Sequence, residues 1–177
     1  MRLQPLPADQ WTEATRQALS AMRGADTNNA LSTFAHHPAL AKAFLRFNVH
    51  LLMSSTLPAR TRELAILRVA HRRDCAYEWS HHVSMAKDEG ITDDQIAAVK
   101  TFGGGPVDEF DAFDRAVLTA VDELEEVSEL SDRSWAALGE RLNDQQRMDF
   151  IFTVGCYALL AMAFNTFGVE LENADQH

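Results

Sequence analysis

Apolar positions recur along this chain at intervals of three and four, and no stretch shows the period-two alternation of a half-buried strand. The pattern predicts an all-α fold of about seven or eight helices. Pro7 to Met22 forms an amphipathic first helix, with Trp11, Ala14, Ala18 and Leu19 inward and Gly24 closing it. After the polar turn Asp26 to Asn29 comes a short helix at about Ala30 to Ala35. Pro38 then opens a helix that carries Leu40, Phe44, Phe47, Leu51 and Leu52 as far as Ser54 or Ser55. Pro58 to Gly90 reads as two helices joined near Arg73 and Asp74, with Pro58 in a first turn, Asp74 as N-cap and Gly90 as the stop. Thr92 followed by Gln95 matches a capping box for a helix through Val99.

The last third is also helical. Asp108 to Glu129 carries Phe110, Phe113, Val117, Val121 and Leu124 at helical spacing, and its acidic run Asp122, Glu123, Glu125, Glu126 is expected mostly outward. Ser131 starts a helix with Trp135 and Leu138, and Asn143 starts the final long one. From Phe150 to Phe164 the chain is apolar nearly all round, which predicts burial on every side. The run is shorter than the ~20 residues a bilayer span needs and holds Thr153 and Gly155, so a core helix or an oligomer interface is expected. Cys156 within it reads as a small buried hydrophobe. Thr101 to Asp108 is glycine-rich but lacks the lysine and spacing of a phosphate loop, and is a connector. With no internal repeat, residues 1–177 are expected to form a single domain.

Within the helix pair, Cys75, Glu78, Trp79, His82, Val83 and Ala86 share the inward face of the second helix. Glu63 shares its stripe with Ile66, Leu67 and Ala70 in the first, while Arg62, Arg68 and Arg72 point elsewhere. A buried, unpaired carboxylate costs several kcal/mol, roughly, unless it is hydrogen-bonded, paired or protonated. A structural network would satisfy Glu63 or His82 alone. The set of Glu63, Cys75, Glu78 and His82 favours a catalytic site, because such surroundings push carboxylate and imidazole pKa values apart.

The same residues carry a family resemblance. Glu63, eleven residues, Cys75, two residues, position 78, three residues, His82 resembles the alkylhydroperoxidase D and carboxymuconolactone decarboxylase family. In the family's peroxidase branch a second cysteine stands where this chain has Glu78, and the text RELAILRVA followed by CAYEWSHH is similar to the branch without CxxC. The likeness extends more loosely over most of the chain, including Trp135 to Gly168. It implies an alkylhydroperoxidase D-like helical domain, a trimer or hexamer of identical subunits, a small-molecule substrate and no cofactor.

Composition narrows the function classes. The 46% hydrophobic content of 177 residues is enough for a real core, and a formal charge of −10 argues against a nucleic-acid partner. The basic cluster Arg60 to Arg73 reads as a solvated or inter-subunit helix side. Two cysteines make no disulfide framework and suit a reducing cytoplasm; the N-terminal residues, with Asp9 and Glu13, show no signal peptide, and no membrane partner is expected.

Three chemistries fit the candidate residues. The favoured one is cofactor-independent acid-base catalysis, with Glu63 and His82 exchanging protons, Glu78 as a second carboxylate and Cys75 as wall or weak donor, as in decarboxylation of a small carboxylated lactone. Here Glu78 must be protonated, or the substrate carboxylate held elsewhere, by an arginine such as Arg68 or Arg72 of a neighbouring subunit. The second is thiol peroxidase chemistry at Cys75, for which position 78 offers no resolving thiol. The third is a mononuclear metal bound by Glu63, Glu78 and His82; Glu78 to His81 spells ExxH, but no second such motif completes a di-iron set. His36, His37, His50 and His71 are expected at surface or packing positions, and a non-enzymatic oligomeric adaptor is the alternative should no cavity adjoin the cluster.

Overall fold

A computed structural model describes residues 1–103 and 108–172. Among these the protein forms nine α-helices and no strand. The residues divide into two compact units, Met1–Met53 with Met162–His177, and Ser54–Ala161. The central part of the glycine-rich connector, 104–107, and His177 lie outside the described residues.

In the first unit the predicted opening helix is split. A 3-10 turn at Ala8–Gln10 precedes α1 (Glu13–Leu19), because the Thr12 hydroxyl accepts the Thr15 amide at 3.2 Å and restarts the helix there. The Trp11 indole donates to the Leu6 carbonyl at 2.8 Å and pins the entry segment. Asn28 caps α2 (Asn29–Phe34). The His37 ring accepts the Leu40 amide ahead of α3 (Pro38–Val49), which runs on into a π-helical turn at His50–Ser54. Leu19, Ala25, Ala35, Ala41 and Leu45 form this unit's core, against which Phe34 and Phe44 stack at 5.4 Å.

The second unit is built around α4 (Ala59–Arg72), against which α5 (Ala76–Asp88), α6 (Asp93–Thr101) and α7 (Ala112–Val127) pack. Every residue from Glu63 to Ala70 is buried, so α4 has no solvent face over two turns. Arg68, expected to point away from the core, is only 4% exposed. Its Nε and Nη2 grip both oxygens of Asp122 on α7 at 2.7 and 2.8 Å, and Nη1 donates to the Val99 carbonyl at 2.6 Å. A further bond at 3.1 Å reaches the Phe102 carbonyl, so this one side chain ties α4 to α7 and to the end of α6. In the acidic run on α7, expected mostly outward, only Glu126 is exposed, while Asp122, Glu123 and Glu125 are half-buried and bonded. Asp122 also meets Arg72 at 3.3 Å, Glu125 pairs with Arg73 at 2.6 Å, and Glu123 binds the Ser131 amide and the Ser131 and Ser134 hydroxyls.

The turn between α4 and α5 corrects a second expectation. Asp74 is not the N-cap of α5; it sits at φ +49°, and its amide donates to His71 while the Cys75 amide donates to Ala70. This 6→1, 5→2 pair of bonds ends α4 with a left-handed residue. Cys75 therefore takes the N-cap position of α5, without a side-chain capping bond. Gly90, at φ +78°, closes α5 with the same two bonds, as its sequence position predicted.

The Thr92–Gln95 capping box is present in both directions. Ser131 caps α8 (Asp132–Gly139), and Asn143 and Gln146 exchange side-chain bonds ahead of α9 (Asp144–Phe167). By length and composition α9 could cross a membrane, yet half of its most apolar window is buried within the protein. It is not buried all round: Met148, Phe152 and Leu159 are exposed along one face, while Phe150, Thr153, Val154 and Tyr157 turn inward.

Asp122→Ala strands the Arg68 guanidinium among apolar side chains with two backbone carbonyls as its partners. Urea unfolding is expected to show a loss of about 3 kcal/mol, because a buried charge stripped of its counter-ion costs far more than a surface pair. The double variant Arg68→Met, Asp122→Leu is expected to regain most of that loss.

Candidate functional site

Glu63 projects from the middle of α4, and its side chain is fully buried. Its two oxygens are divided between two partners. Oε2 lies 2.7 Å from His82 Nδ1 on α5, and Oε1 accepts from the Nε of Arg62 at 2.9 Å. With the carboxylate oxygen as acceptor, Nδ1 is the donor of this bond, and Nε2 is the other ring nitrogen. Tyr157 of α9 meets the His82 ring edge-on at 4.9 Å between centroids and fixes its plane. His82 itself is 7% exposed.

The other two predicted residues form a second pair on the first turn of α5. Glu78 is 2% exposed, and neither of its oxygens has a hydrogen-bond partner. Burial pushes its carboxyl up to about 8; the Cys75 thiol and the Arg73 charge favour ionisation, and Glu125 opposes it. The thiol does this without satisfying either oxygen. At neutral pH Glu78 is thus mostly a neutral acid. Cys75 is pushed up to about 12, first by burial and then by the Glu78 charge. Both cysteines are free and buried.

Cys75 borders a cavity of about 200 Å³ together with Ala70, His71, Asp74, Ala76, Trp79 and Lys100. Glu63, Glu78 and His82 do not line it. The four residues stand as two contacting pairs, Glu63 with His82 and Cys75 with Glu78, and only Cys75 borders this cavity. His71, expected to be a packing residue, stands 6.2 Å from the Trp79 ring; burial and the Arg68 charge lower its pKa. Lys100 lies over the other ring system of this wall, 4.5 Å from the Trp79 centroid.

Arg62 and Tyr157 escaped the sequence reading. Arg62 is the residue next to Glu63, so helical periodicity sets it about 100° away, and only its long side chain brings it back. Tyr157 lies in an apolar run where its hydroxyl and ring carried no distinguishing signal. Arg68 and Arg72, considered as anchors for a substrate carboxylate, are both engaged by Asp122. Among the described residues no group of three or more His, Cys, Asp or Glu is gathered as metal ligands. Glu63 already spends its oxygens on His82 and Arg62, so the set Glu63, Glu78 and His82 does not fit a metal centre.

Residues 38–123, which contain all four candidate residues, match the carboxymuconolactone decarboxylase family. Comparison with curated proteins gives no match. Among solved structures, an alkylhydroperoxidase core described as an uncharacterized peroxidase-related protein from Ralstonia eutropha superposes with a TM-score of 0.79 at 18% identity, over 99% of this chain and 95% of that one. A putative antioxidant defence protein from Agrobacterium tumefaciens gives 0.69 at 21% identity, over 77% and 93%. A debrominase gives 0.73 at 16% identity, over 97% and 92%. Residues 38–123 are thus a carboxymuconolactone decarboxylase family segment, set within an alkylhydroperoxidase D-like helical fold.

Proposed function

We propose that this protein is an enzyme of cofactor-independent acid-base chemistry, acting on a small carboxylated or lactone substrate by decarboxylation or a related proton transfer. The observation that carries the reading is the buried 2.7 Å bond between Glu63 and His82 Nδ1. It orients the ring, fixes which nitrogen works, and stabilises the imidazolium that forms when Nε2 takes a proton. In a decarboxylation, the C–CO₂ bond breaks and its electron pair passes into an adjacent carbonyl as carbon dioxide leaves; the pair then returns to the carbon as it takes a proton from His82 Nε2, which solvent re-protonates for the next turnover. A neutral Glu78 removes the repulsion that a second anion would exert on the substrate carboxylate.

The names of several structural neighbours favour a thiol peroxidase instead. That chemistry starts from a thiolate, and Cys75 is held as a thiol by burial and by Glu78. A carboxyl also occupies the position from which a second thiol would resolve a sulfenic acid. The acid-base reading is therefore the better supported of the two.

We also propose that the protein works as a homo-oligomer. The exposed face of α9 places Met148, Phe152 and Leu159 in one stripe, and at Gly155 within that stripe a Cβ would meet open space. Such a ridge of apolar side chains with a gap at its centre suits close approach by a second copy.

In turnover of a carboxylated lactone, Glu63→Gln and His82→Ala should each cost ~10²-fold in kcat/KM, the usual worth of a positioned acid or base, while Cys75→Ser stays close to the parent. Dithiol-dependent peroxide reduction that vanished in Cys75→Ser and survived in Glu78→Ala would transfer the protein to the redox branch. Glu78 has a folded-state pKa of about 8 against an ordinary value of 4.5, so the folded protein keeps a proton that the unfolded chain releases between those limits. Its contribution to stability therefore falls as pH rises through that window, by about 1.4 kcal/mol per unit at most, and levels off above it. Glu78→Gln removes this slope, so its denaturant midpoint relative to the parent is expected to climb from pH 5 to pH 8; a constant difference would show that Glu78 is ionised in the fold. Light scattering is expected to give a multiple of the 19.8 kDa chain mass, and Phe152→Glu to lower it; a parent mass of one chain defeats the oligomer proposal.

A further inference from the structure

Away from the Glu63–His82 pair, α7 and α8 leave a cleft of about 560 Å³ between them. This is within the range of small-molecule sites, roughly 300–1,000 Å³. Its α7 side is a single stripe, Ala112, Ala116, Thr119 and Glu123 at i, i+4, i+7 and i+11, and Ala137 lines it from α8. Three alanines make a shallow apolar wall where larger side chains would close the gap. Phe102 adds an aromatic ring, held between the Arg68 guanidinium at 5.4 Å and Phe110 at 6.5 Å.

Two cations border this wall, Arg115 and Arg133. Arg115 donates through Nη1 to the Phe110 carbonyl, which fixes its direction and leaves its other N–H groups free. Neither arginine forms an ion pair among the described residues. This is unusual within the second unit, where Arg60, Arg62, Arg68, Arg72, Arg73, Arg141 and Arg147 all do. The carboxylate that also lines the cleft, Glu123, is engaged on both oxygens by Ser131 and Ser134. The Arg133 charge helps to hold the Glu123 pKa low and the Arg115 charge acts on Asp114, but neither is an ion pair, so on a chain of net charge −10 the cleft combines an apolar wall, an aromatic ring and two guanidinium groups outnumbering its one carboxylate. Planar guanidinium groups recognise carboxylates in forked geometry, and a flat apolar body covers an alanine wall without steric cost.

We propose that the α7–α8 cleft is a binding site for a small organic anion with a flat apolar body, an aromatic carboxylate in its simplest form. The site shares no residue with Glu63, Cys75, Glu78 or His82, so it stands independently of the acid-base reading.

The test is an NMR titration of the full chain with benzoate, with benzamide as the uncharged isostere. Saturable amide shifts confined to Ala112, Ala116, Thr119 and Ala137 are expected, with a dissociation constant of the order of 1 mM or tighter and at least about tenfold weaker binding of benzamide. Arg115→Gln and Arg133→Gln should each weaken benzoate at least about fivefold. Arg115 also supports the Phe110 carbonyl, so Arg133→Gln decides the matter if Arg115→Gln unfolds. Shifts that do not saturate, shifts centred on the Cys75 cavity, equal binding of benzamide, or an unchanged constant in Arg133→Gln would each overturn the proposal.

Discussion

The second unit hangs on a charge that apolar burial alone would forbid. Arg68 lies in the middle of a helix with no solvent face, and its guanidinium is stable there because four of its five N–H groups end on acceptors: two carboxylate oxygens of Asp122 and the carbonyls that end α6. The Coulomb attraction in such surroundings offsets the cost of removing both ions from water only when the geometry is this complete. In return, α4 is fixed in rotation and in height against α7 and the end of α6. Glu63 stands five residues before Arg68 on the same helix, so the clamp also sets the position of the candidate catalytic carboxylate.

That carboxylate repeats the logic on a smaller scale. Glu63 is fully buried but shared between Arg62 and His82, whereas Glu78, one turn into α5, is equally buried and has no hydrogen-bond partner for either oxygen. Two carboxyl groups on adjacent helices are thereby driven to opposite roles, one a bonded orienter of an imidazole and the other a neutral group. The difference comes from who reaches them and not from depth, since both are shielded from water.

Much of this was legible in the sequence, and the reasons are local. Thr92 with Gln95, Ser131, Asn143 and Gly90 act within one turn of themselves, so their meaning survives without tertiary context. The inward face of Cys75, Glu78 and His82 followed from the 3.6-residue period. What periodicity could not show was which buried polar groups meet. Arg68 was set outside the core because a charged residue on a helix flank is usually solvated, and its partner lies fifty-four residues away on α7. Asp74 was misread because aspartate serves equally as an N-cap and as a left-handed terminator; the bonds from its own amide and the next one decide between them. The face of α9 that stays open could not be separated from its buried faces, because both are apolar.

The reversal at Asp74 and Cys75 has a consequence for how this scaffold tolerates change in length. Cys75 is at once the last residue bonded to α4, through its amide, and the N-cap of α5, so the two helices are joined with no slack. A residue inserted or deleted there would rotate α5 by about 100° about its axis. His82 would swing off Glu63 and Glu78 would leave its buried niche together, while each helix kept its own sequence intact. The phase of one helix relative to the other is thus stored in a single turn, and a change in the number of residues leading into α5 would undo the site even with every side chain of α5 kept.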